Sequence, residues 1–302
     1  MRIGIDLGGT KTEVAVLDET SASEIYRRRV WTEPTYNGVV RGIRDLVLAA
    51  EQELGRIGTV GVGIPGTISN DTGLIKNANS TWINGMPLDR DLSAALTREV
   101  RLENDANCFA TSEARDGAGA RTDVVFGVIL GTGTGAGIVV TGKCLKGANG
   151  IGGEWGHNPL PSPRVLENGE DERPGRPCYC GRAGCIETWL SGPGFETDYF
   201  QATGGKLSSA EIVEAAEAGE TSAQAALSRY VDRLARSLAH VINVLDPDVI
   251  VLGGGMGKTS VLYDAVPAIW GRYIFSDVVR TQLRPPVHGD SSGVRGAAWL
   301  WP

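Results

Sequence analysis

Arg2-Ile-Gly-Ile-Asp-Leu-Gly-Gly-Thr-Lys-Thr-Glu-Val-Ala-Val-Leu17 opens the chain, and its apolar residues alternate on either side of Gly8-Gly9. That pattern reads as a strand, a tight glycine turn and a second strand. The plan returns at Val124-Val-Phe-Gly-Val-Ile-Leu-Gly-Thr-Gly-Thr-Gly-Ala-Gly-Ile-Val-Val140, so each half of the protein begins in the same way. Between the two hairpins, Val39 to Leu54 has helical spacing, Val60 to Ile64 reads as a buried strand and Leu88 to Glu99 as a helix. Arg98 to Leu102 reads as a further strand. Later, Leu227, Tyr230, Val231, Leu234, Leu238, Val241, Ile242 and Leu245 recur at helical spacing, and Asp246-Pro247-Asp248 stops that helix. A strand, Val249 to Leu252, then runs into Gly253-Gly254-Gly255. The fold class is α/β.

With 302 residues, 41% of them hydrophobic, the chain can bury enough surface for two lobes. Apolar runs such as Val124 to Leu130 fall far short of the ~20 residues that span a bilayer, and no export segment is visible. A net charge of −7 removes the broad attraction to phosphate backbones on which nucleic-acid binders rely, so any phosphate must be held locally. Five cysteines are an odd number for a secreted disulfide framework, and three crowd into one short segment, which points to metal binding in a cytoplasmic, reducing setting. Only Ser162 to Arg176 has the polar, Pro/Gly-rich character of a mobile excursion.

Glycine turns at strand ends let backbone N–H groups approach phosphate oxygens. Three occur, at Gly8-Gly9, Gly131 to Gly137 and Gly253 to Gly255, and the first also carries Asp6, Thr10 and Lys11. One such turn can be a mere turn; three together point to a nucleotide site. Gly253-Gly-Gly-Met-Gly-Lys-Thr259 is one residue short of a P-loop, and Gly131-Thr-Gly-Thr-Gly-Ala-Gly137 lacks dinucleotide spacing and leads into a strand. Leu102-Glu-Asn-Asp-Ala-Asn-Cys108 sets a carboxylate among amides at a helix start. Asp105 there suits a base that takes a hydroxyl proton during phosphoryl transfer, with Asn104 orienting the substrate, and it equally suits a helix N-cap.

Glu154 and His157 in Gly152-Gly-Glu-Trp-Gly-His157 would share one face of a helical turn. Cys178-Tyr-Cys-Gly-Arg-Ala-Gly-Cys185 follows, its glycines letting the chain curl round an ion. One imidazole and three thiolates complete the closed tetrahedral set of a structural zinc, against the alternative of three simple thiols. Cys108 and Cys144 lack such company, His240 sits within the long helix, and His288 receives no role. Glu187, two residues past the last cysteine, is a surface charge or a ligand group held by the loop.

Asp6-Leu-Gly-Gly-Thr-Lys11, Glu103-Asn-Asp-Ala-Asn107, Gly131-Thr-Gly133, Glu154-Trp-Gly-His157, Cys178 to Glu187, Gly253-Gly-Gly255 and Gly293-Val-Arg-Gly-Ala-Ala298 together resemble the ROK family of bacterial sugar kinases and repressors. The resemblance runs through essentially the whole chain. It implies a two-lobed, actin-like (ribonuclease H-like, hexokinase-type) fold with a central cleft and a zinc-binding loop. The implied lobes are 1–118 plus 290–302 and 119–289, the C-terminal helix returning to the first. It further implies Asp105 as catalytic base and sugar contacts from Gly66, Asn79, Asn104, Asp105, Glu154, His157 and Glu187. ATP contacts are implied for Gly8, Gly9, Thr10, Lys11, Thr132, Gly133, Gly254 and Gly255, with Asp6 near Mg2+-bound phosphates. The implied ligands of a structural Zn2+ are His157, Cys178, Cys180 and Cys185.

Lys76-Asn-Ala-Asn-Ser-Thr-Trp82, Glu154 to Leu160 and His288 to Trp301 are most similar to the fructokinase (manno(fructo)kinase) branch. The expected activity is therefore ATP-dependent phosphorylation of D-fructose to D-fructose 6-phosphate, with N-acetylglucosamine kinase and glucokinase as alternatives. The expected partners are a hexose, ATP and a second copy of the chain as a homodimer, with neither nucleic acid nor membrane. A sugar-responsive repressor on the same lobes needs an N-terminal DNA-reading domain, for which a first strand at Arg2 leaves no room.

Overall fold

The opening residues form β1 (Arg2–Leu7) and β2 (Lys11–Leu17), joined by a turn in which Gly8 N donates to Lys11 O at 3.0 Å. In this computed structural model, which describes residues 1–166, 169 and 171–301, β3 (Glu24–Trp31) adds an antiparallel edge strand. Helix α1 (Tyr36–Leu54) crosses to β4 (Thr59–Ile64), which lies parallel to β1. A small ribbon of β5 (Thr67–Ile68) and β6 (Ile75–Lys76) precedes α2 (Leu88–Leu96), β7 (Val100–Asn104) and α3 (Asp105–Arg115). The sheet order is β3-β2-β1-β4-β7.

Local chemistry explains these elements. Thr35 caps α1 by accepting from Gly38 N, and Gly55 closes it in the left-handed region at φ 64°. Val39, Ile43, Leu46, Val47 and Ala50 fall on one face of α1 and join Ile3, Ile5, Val60 and Val62 in a single core. Helix α2 ends three residues before the expected Glu99, because Thr97 adopts φ 53° and its N–H turns back to Ala94 O and Ser93 O. The following strand accordingly starts at Val100 and carries its last residue, Asn104, to the sheet's edge.

The second sheet, ordered β10-β9-β8-β11-β12, is built from β8 (Val124–Leu130), β9 (Thr134–Val140), β10 (Lys143–Cys144), β11 (Val249–Gly253) and β12 (Gln282–Arg284). Helices α4 (Glu187–Leu190), α5 (Gly192–Thr203), α6 (Ser209–Glu217), α7 (Thr221–Leu245) and α8 (Leu262–Trp270) accompany it. Helix α7 stops where Asp246 enters the left-handed region at φ 48° ahead of Pro247. No helix among the described residues is long and apolar enough to cross a membrane.

The chain forms two compact units. One holds Met1–Arg121, Gly137–Gly153 and Val287–Pro302; the other holds Thr122–Ala136 and Glu154–Pro286. In the first, the last helix, α9 (Ser292–Ala298), lies directly on β1, β4 and α3. A Cβ on Gly4 would fall 2.0 Å from Val294 O, and one on Gly296 1.7 Å from Cys108 O, so only missing side chains allow this approach.

In the second unit, the polar segment from Ser162 to Arg176 is not the free excursion its composition suggests. Glu167, Asn168 and Glu170 lie outside the described residues, but Glu172 is 2% exposed and pairs with Arg233 at 2.8 Å and Arg236 at 3.0 Å. Both arginines sit on the buried face of α7, and a buried guanidinium must find a counter-charge. Composition advertises the solvent-facing residues of a loop and hides the one that anchors it.

Candidate functional site

In the first unit, β1, β4 and β7 run parallel, with Asp6 opposite Gly63 and Ile64 opposite Asn104. Their carboxyl ends therefore deliver Asp6, Gly66 and Asn104 to one edge, the usual ligand side of such sheets. Asn104 Oδ1 accepts from Ala106 N at 2.9 Å and Asn107 N at 3.3 Å, while its Nδ2 donates to Gly66 O at 3.1 Å. Asn104 is thus the N-cap of α3, and Asp105 stands exposed as the first residue of the helix. The cap position belongs to Asn104, and Asp105 Oδ1 adds a second acceptor for Ala106 N at 2.8 Å.

Asp6 is close enough to Asp105 to feel its charge. Burial first, then the carboxylates of Asp105 and Glu13, push the Asp6 carboxyl up to about 7, against a smaller opposing pull from Arg29. Glu103 fixes the other flank: it is 6% exposed, accepts from Asn104 N at 2.9 Å and Asn107 Nδ2 at 3.0 Å, and pairs with Lys146 at 2.8 Å. Gly8, Gly9, Thr10 and Lys11 form the turn after β1. The loop holding the exposed Asn79 approaches that turn, since a Cβ on Gly9 would lie 3.3 Å from Ser80 Oγ.

In the second unit, β8 and β11 are parallel neighbours, with Gly253 opposite Ile129. Their ends project Thr132 and Gly133 beside Gly254 and Gly255. Glu187 is tied to the first of these turns: its Oε2 accepts from Thr134 N at 2.9 Å, and a Cβ on Gly133 would come within 2.7 Å of the same oxygen. Trp155 and His157 belong to a short 3-10 turn preceded by Glu154. Trp155 is buried, packs edge-on to Phe126 at 5.6 Å and so seats that turn on the sheet.

His157, Cys178, Cys180 and Cys185 each offer one ligand atom, and the four atoms lie within 4.8 Å of one another. Cys180 Sγ and Cys185 Sγ are 3.6 Å apart, and Cys178 Sγ and His157 Nδ1 are 3.7 Å apart. A tetrahedral zinc with arms of about 2.0–2.3 Å needs ligand atoms about 3.4–3.8 Å apart, so the donor set fits the ion in size and in chemistry. Hydrogen bonds from the Arg182 backbone and side chain hold the Cys180 thiol down to about 6. Burial raises the thiols of Cys178 and Cys185, the latter to about 12. A dication draws all three to the thiolate form.

Sequence reasoning passed over several groups. Ser80 Oγ and Thr134 Oγ1 are buried at the first and second glycine turns with no hydrogen-bond partner among the described residues, as polar atoms awaiting a ligand would be. A serine or threonine next to a turn carries no signal in sequence, because only burial makes it noteworthy. His288 bonds Asp116 Oδ1 at 3.0 Å, beside Arg295, and so joins the C-terminal segment to α3. His240 is exposed on α7, and Cys108 and Cys144 are free thiols outside the cluster.

A sequence model of the ROK family matches residues 2–302. An N-acetyl-D-glucosamine kinase of Haemophilus influenzae (strain 86-028NP) is 42% identical over 306 residues, covering 100% of this chain and 99% of that protein. The crystal structure of a ROK hexokinase from Thermus thermophilus shares the fold with a TM-score of 0.85 at 30% identity, over 98% of this chain and 96% of that one. A ROK family glucokinase from Streptomyces griseus, crystallised with glucose and AMPPNP, gives a TM-score of 0.78 at 28% identity, over 99% of this chain and 98% of that one.

Proposed function

We propose, on the premise that this chain belongs to the ROK family, that it transfers the γ-phosphoryl group of ATP to the primary hydroxyl of N-acetyl-D-glucosamine. The substrate differs from the fructose expected from short stretches such as Lys76 to Trp82. A 42% identity spread over the full length weighs more than the wording of three segments, and that relative is an N-acetyl-D-glucosamine kinase. Glucose is the second sugar to test, given the glucose-bound Streptomyces griseus relative.

The observation that carries the chemistry is the arrangement at the start of α3: Asn104 is the cap, and the Asp105 carboxylate is exposed at the first residue of the helix, its Oδ1 steadied by Ala106 N at 2.8 Å, which suits it to act as the base. In this reading Asp105 takes the proton of the sugar hydroxyl as it attacks phosphorus. Gly66, Asn79, Asn104, Glu154, His157 and Glu187 are the residues assigned to the other sugar hydroxyls. The turns at Gly8 to Lys11, at Thr132-Gly133 and at Gly254-Gly255 are the ones assigned to the nucleotide, glycine turns being suited to phosphate oxygens. Mg2+, when bound with ATP, would neutralise phosphate charge, and Asp6 is the carboxylate assigned to stand near it. The closed zinc set keeps His157 and the loop leading to Glu187 in place. The functional lobes are taken as 1–118 with 290–302 and 119–289.

The test is an ADP-release assay with N-acetylglucosamine, N-acetylmannosamine, glucose, mannose and fructose, comparing kcat/KM. N-acetylglucosamine should lead. A site that hydrogen-bonds a substituent discriminates strongly against sugars lacking it. A higher value for fructose would restore the first expectation, and silence on all five would remove the kinase reading.

A further inference from the structure

The part of the second unit that carries Glu154, His157 and Glu187 has a fourth polar group. Tyr179 lies in the chain between Cys178 and Cys180, and its ring stands edge-on to the His157 imidazole, centroids 5.2 Å apart and planes at 82°. Its hydroxyl oxygen is 3.1 Å from His157 Nε2, while the other ring nitrogen, Nδ1, faces Cys178 Sγ at 3.7 Å. An imidazole that ligates through Nδ1 keeps its proton on Nε2. Nε2–H therefore donates to the Tyr179 oxygen, and the Tyr179 O–H remains able to donate to something else.

Its neighbours place that something: His157, to which Tyr179 is bonded, is one of the residues proposed to grip the sugar, and Glu187, another, lies 4.0 Å from the Sγ of the adjoining Cys178. Yet Tyr179 is 82% exposed, a large aromatic surface that packing of the loop does not require. An exposed ring whose one polar atom is held in place by a histidine is preorganised for a ligand with both apolar and hydroxyl faces.

We propose that Tyr179 is a specificity-determining residue of the sugar site: its oxygen takes the one Nε2–H of His157, and its own O–H, held in place by that bond, is presented to a sugar oxygen, so that His157 acts on the sugar through Tyr179. The inference rests on the sugar-kinase reading above. The alternative is a residue that only braces the metal loop.

Zinc-loaded, full-length wild type, Tyr179→Phe and Tyr179→Ala are compared for zinc stoichiometry, melting temperature, and kcat and KM with N-acetylglucosamine and glucose. Tyr179→Phe keeps the ring and removes the hydroxyl. Its KM for N-acetylglucosamine should rise about tenfold with kcat within about twofold, the signature of lost sugar binding, while zinc and melting temperature stay at wild-type values. Tyr179→Ala should raise KM further and change the ratio of KM values between the two sugars. Unmoved KM in both variants, with an active wild type, overturns the assignment and leaves the kinase reading standing. Lost zinc or stability in Tyr179→Phe with unmoved KM assigns the bracing role and overturns it as well. A wild type that turns over neither these sugars nor the rest of the panel overturns both.

Discussion

The carboxylate centre of the first unit and the His/Cys centre of the second are held by different forces. Asp6, Asn104 and Asp105 sit at the ends of two parallel strands and the first turn of a helix, with Asn104 bonded to Ala106, Asn107 and Gly66 and Glu103 bonded behind it. Sheet, helix and cap hold that geometry without help. The His/Cys centre is strung along a loop whose regular structure is a 3-10 turn at Trp155–His157 and isolated bridges such as Pro159 to Cys185 and Pro177 to Ala183. Backbone bonds such as Leu160 N to Gly184 O and the Glu172 anchor shape this loop, and ligation supplies the remaining constraint on its four donor side chains. One centre should therefore survive loss of its chemical group with its shape intact, and the other should not.

Removing the metal is the strongest challenge to that contrast, because closed zinc sites contribute ~10 kcal/mol of binding energy that is also folding energy. Chelation, or Cys185→Ala, should take away zinc, turnover and thermal stability together, with limited proteolysis cutting first between Glu154 and Glu187. Protein that melts at one temperature with and without chelator, or that contains no zinc when purified without one, would abolish the distinction.

Asp105→Asn probes the other side. Turnover should fall by ~10²-fold or more, the range for a positioned base, while melting temperature stays within about 2 °C because Asn104 rather than Asp105 caps α3. Near wild-type turnover in a folded Asp105→Asn protein would remove the base from the mechanism.

The smallest effect sharpens the comparison most, since it reads the electrostatics of the first centre directly. The folded-state pKa of Asp6, about 7, lies above its ordinary 3.8, so the folded protein holds a proton that the unfolded chain releases over that interval. The sign follows: stability is present below about pH 4 and is lost as pH rises towards 7. Without Mg2+ or nucleotide, Asp6→Asn should melt with wild type near pH 4 and a few degrees above it at pH 8. A difference in melting temperature that does not change with pH would show that burial and the neighbouring carboxylates do not raise the Asp6 pKa.

Much of this was legible beforehand. The hairpin at Arg2 to Leu17, its counterpart at Val124 to Val140 and the long helix ending at Asp246-Pro247 follow from alternation, period and stop signals, and the structure has all three. The His/Cys set was legible for a related reason, since three thiols spaced by glycines have few other uses. Substrate choice was not. Segments around Asn79 and Trp155 pointed to fructose, whereas whole-chain similarity favours N-acetylglucosamine. Hexoses differ by single substituents, which small shifts of a loop can satisfy or reject.

Sequence alone determined which residues are chemically able to act: the glycine turns, the Asn104-Asp105 pair, and His157 with its three cysteines. Tertiary structure decided how they divide the work. It made Asn104 the cap and left the Asp105 carboxylate exposed, set Asp6 among carboxylates, buried Glu172 between arginines of α7 and turned Tyr179 onto His157. The reason is that capacity to bond or titrate belongs to a side chain, whereas burial, field and partner belong to its neighbours, and most of those are distant in the chain.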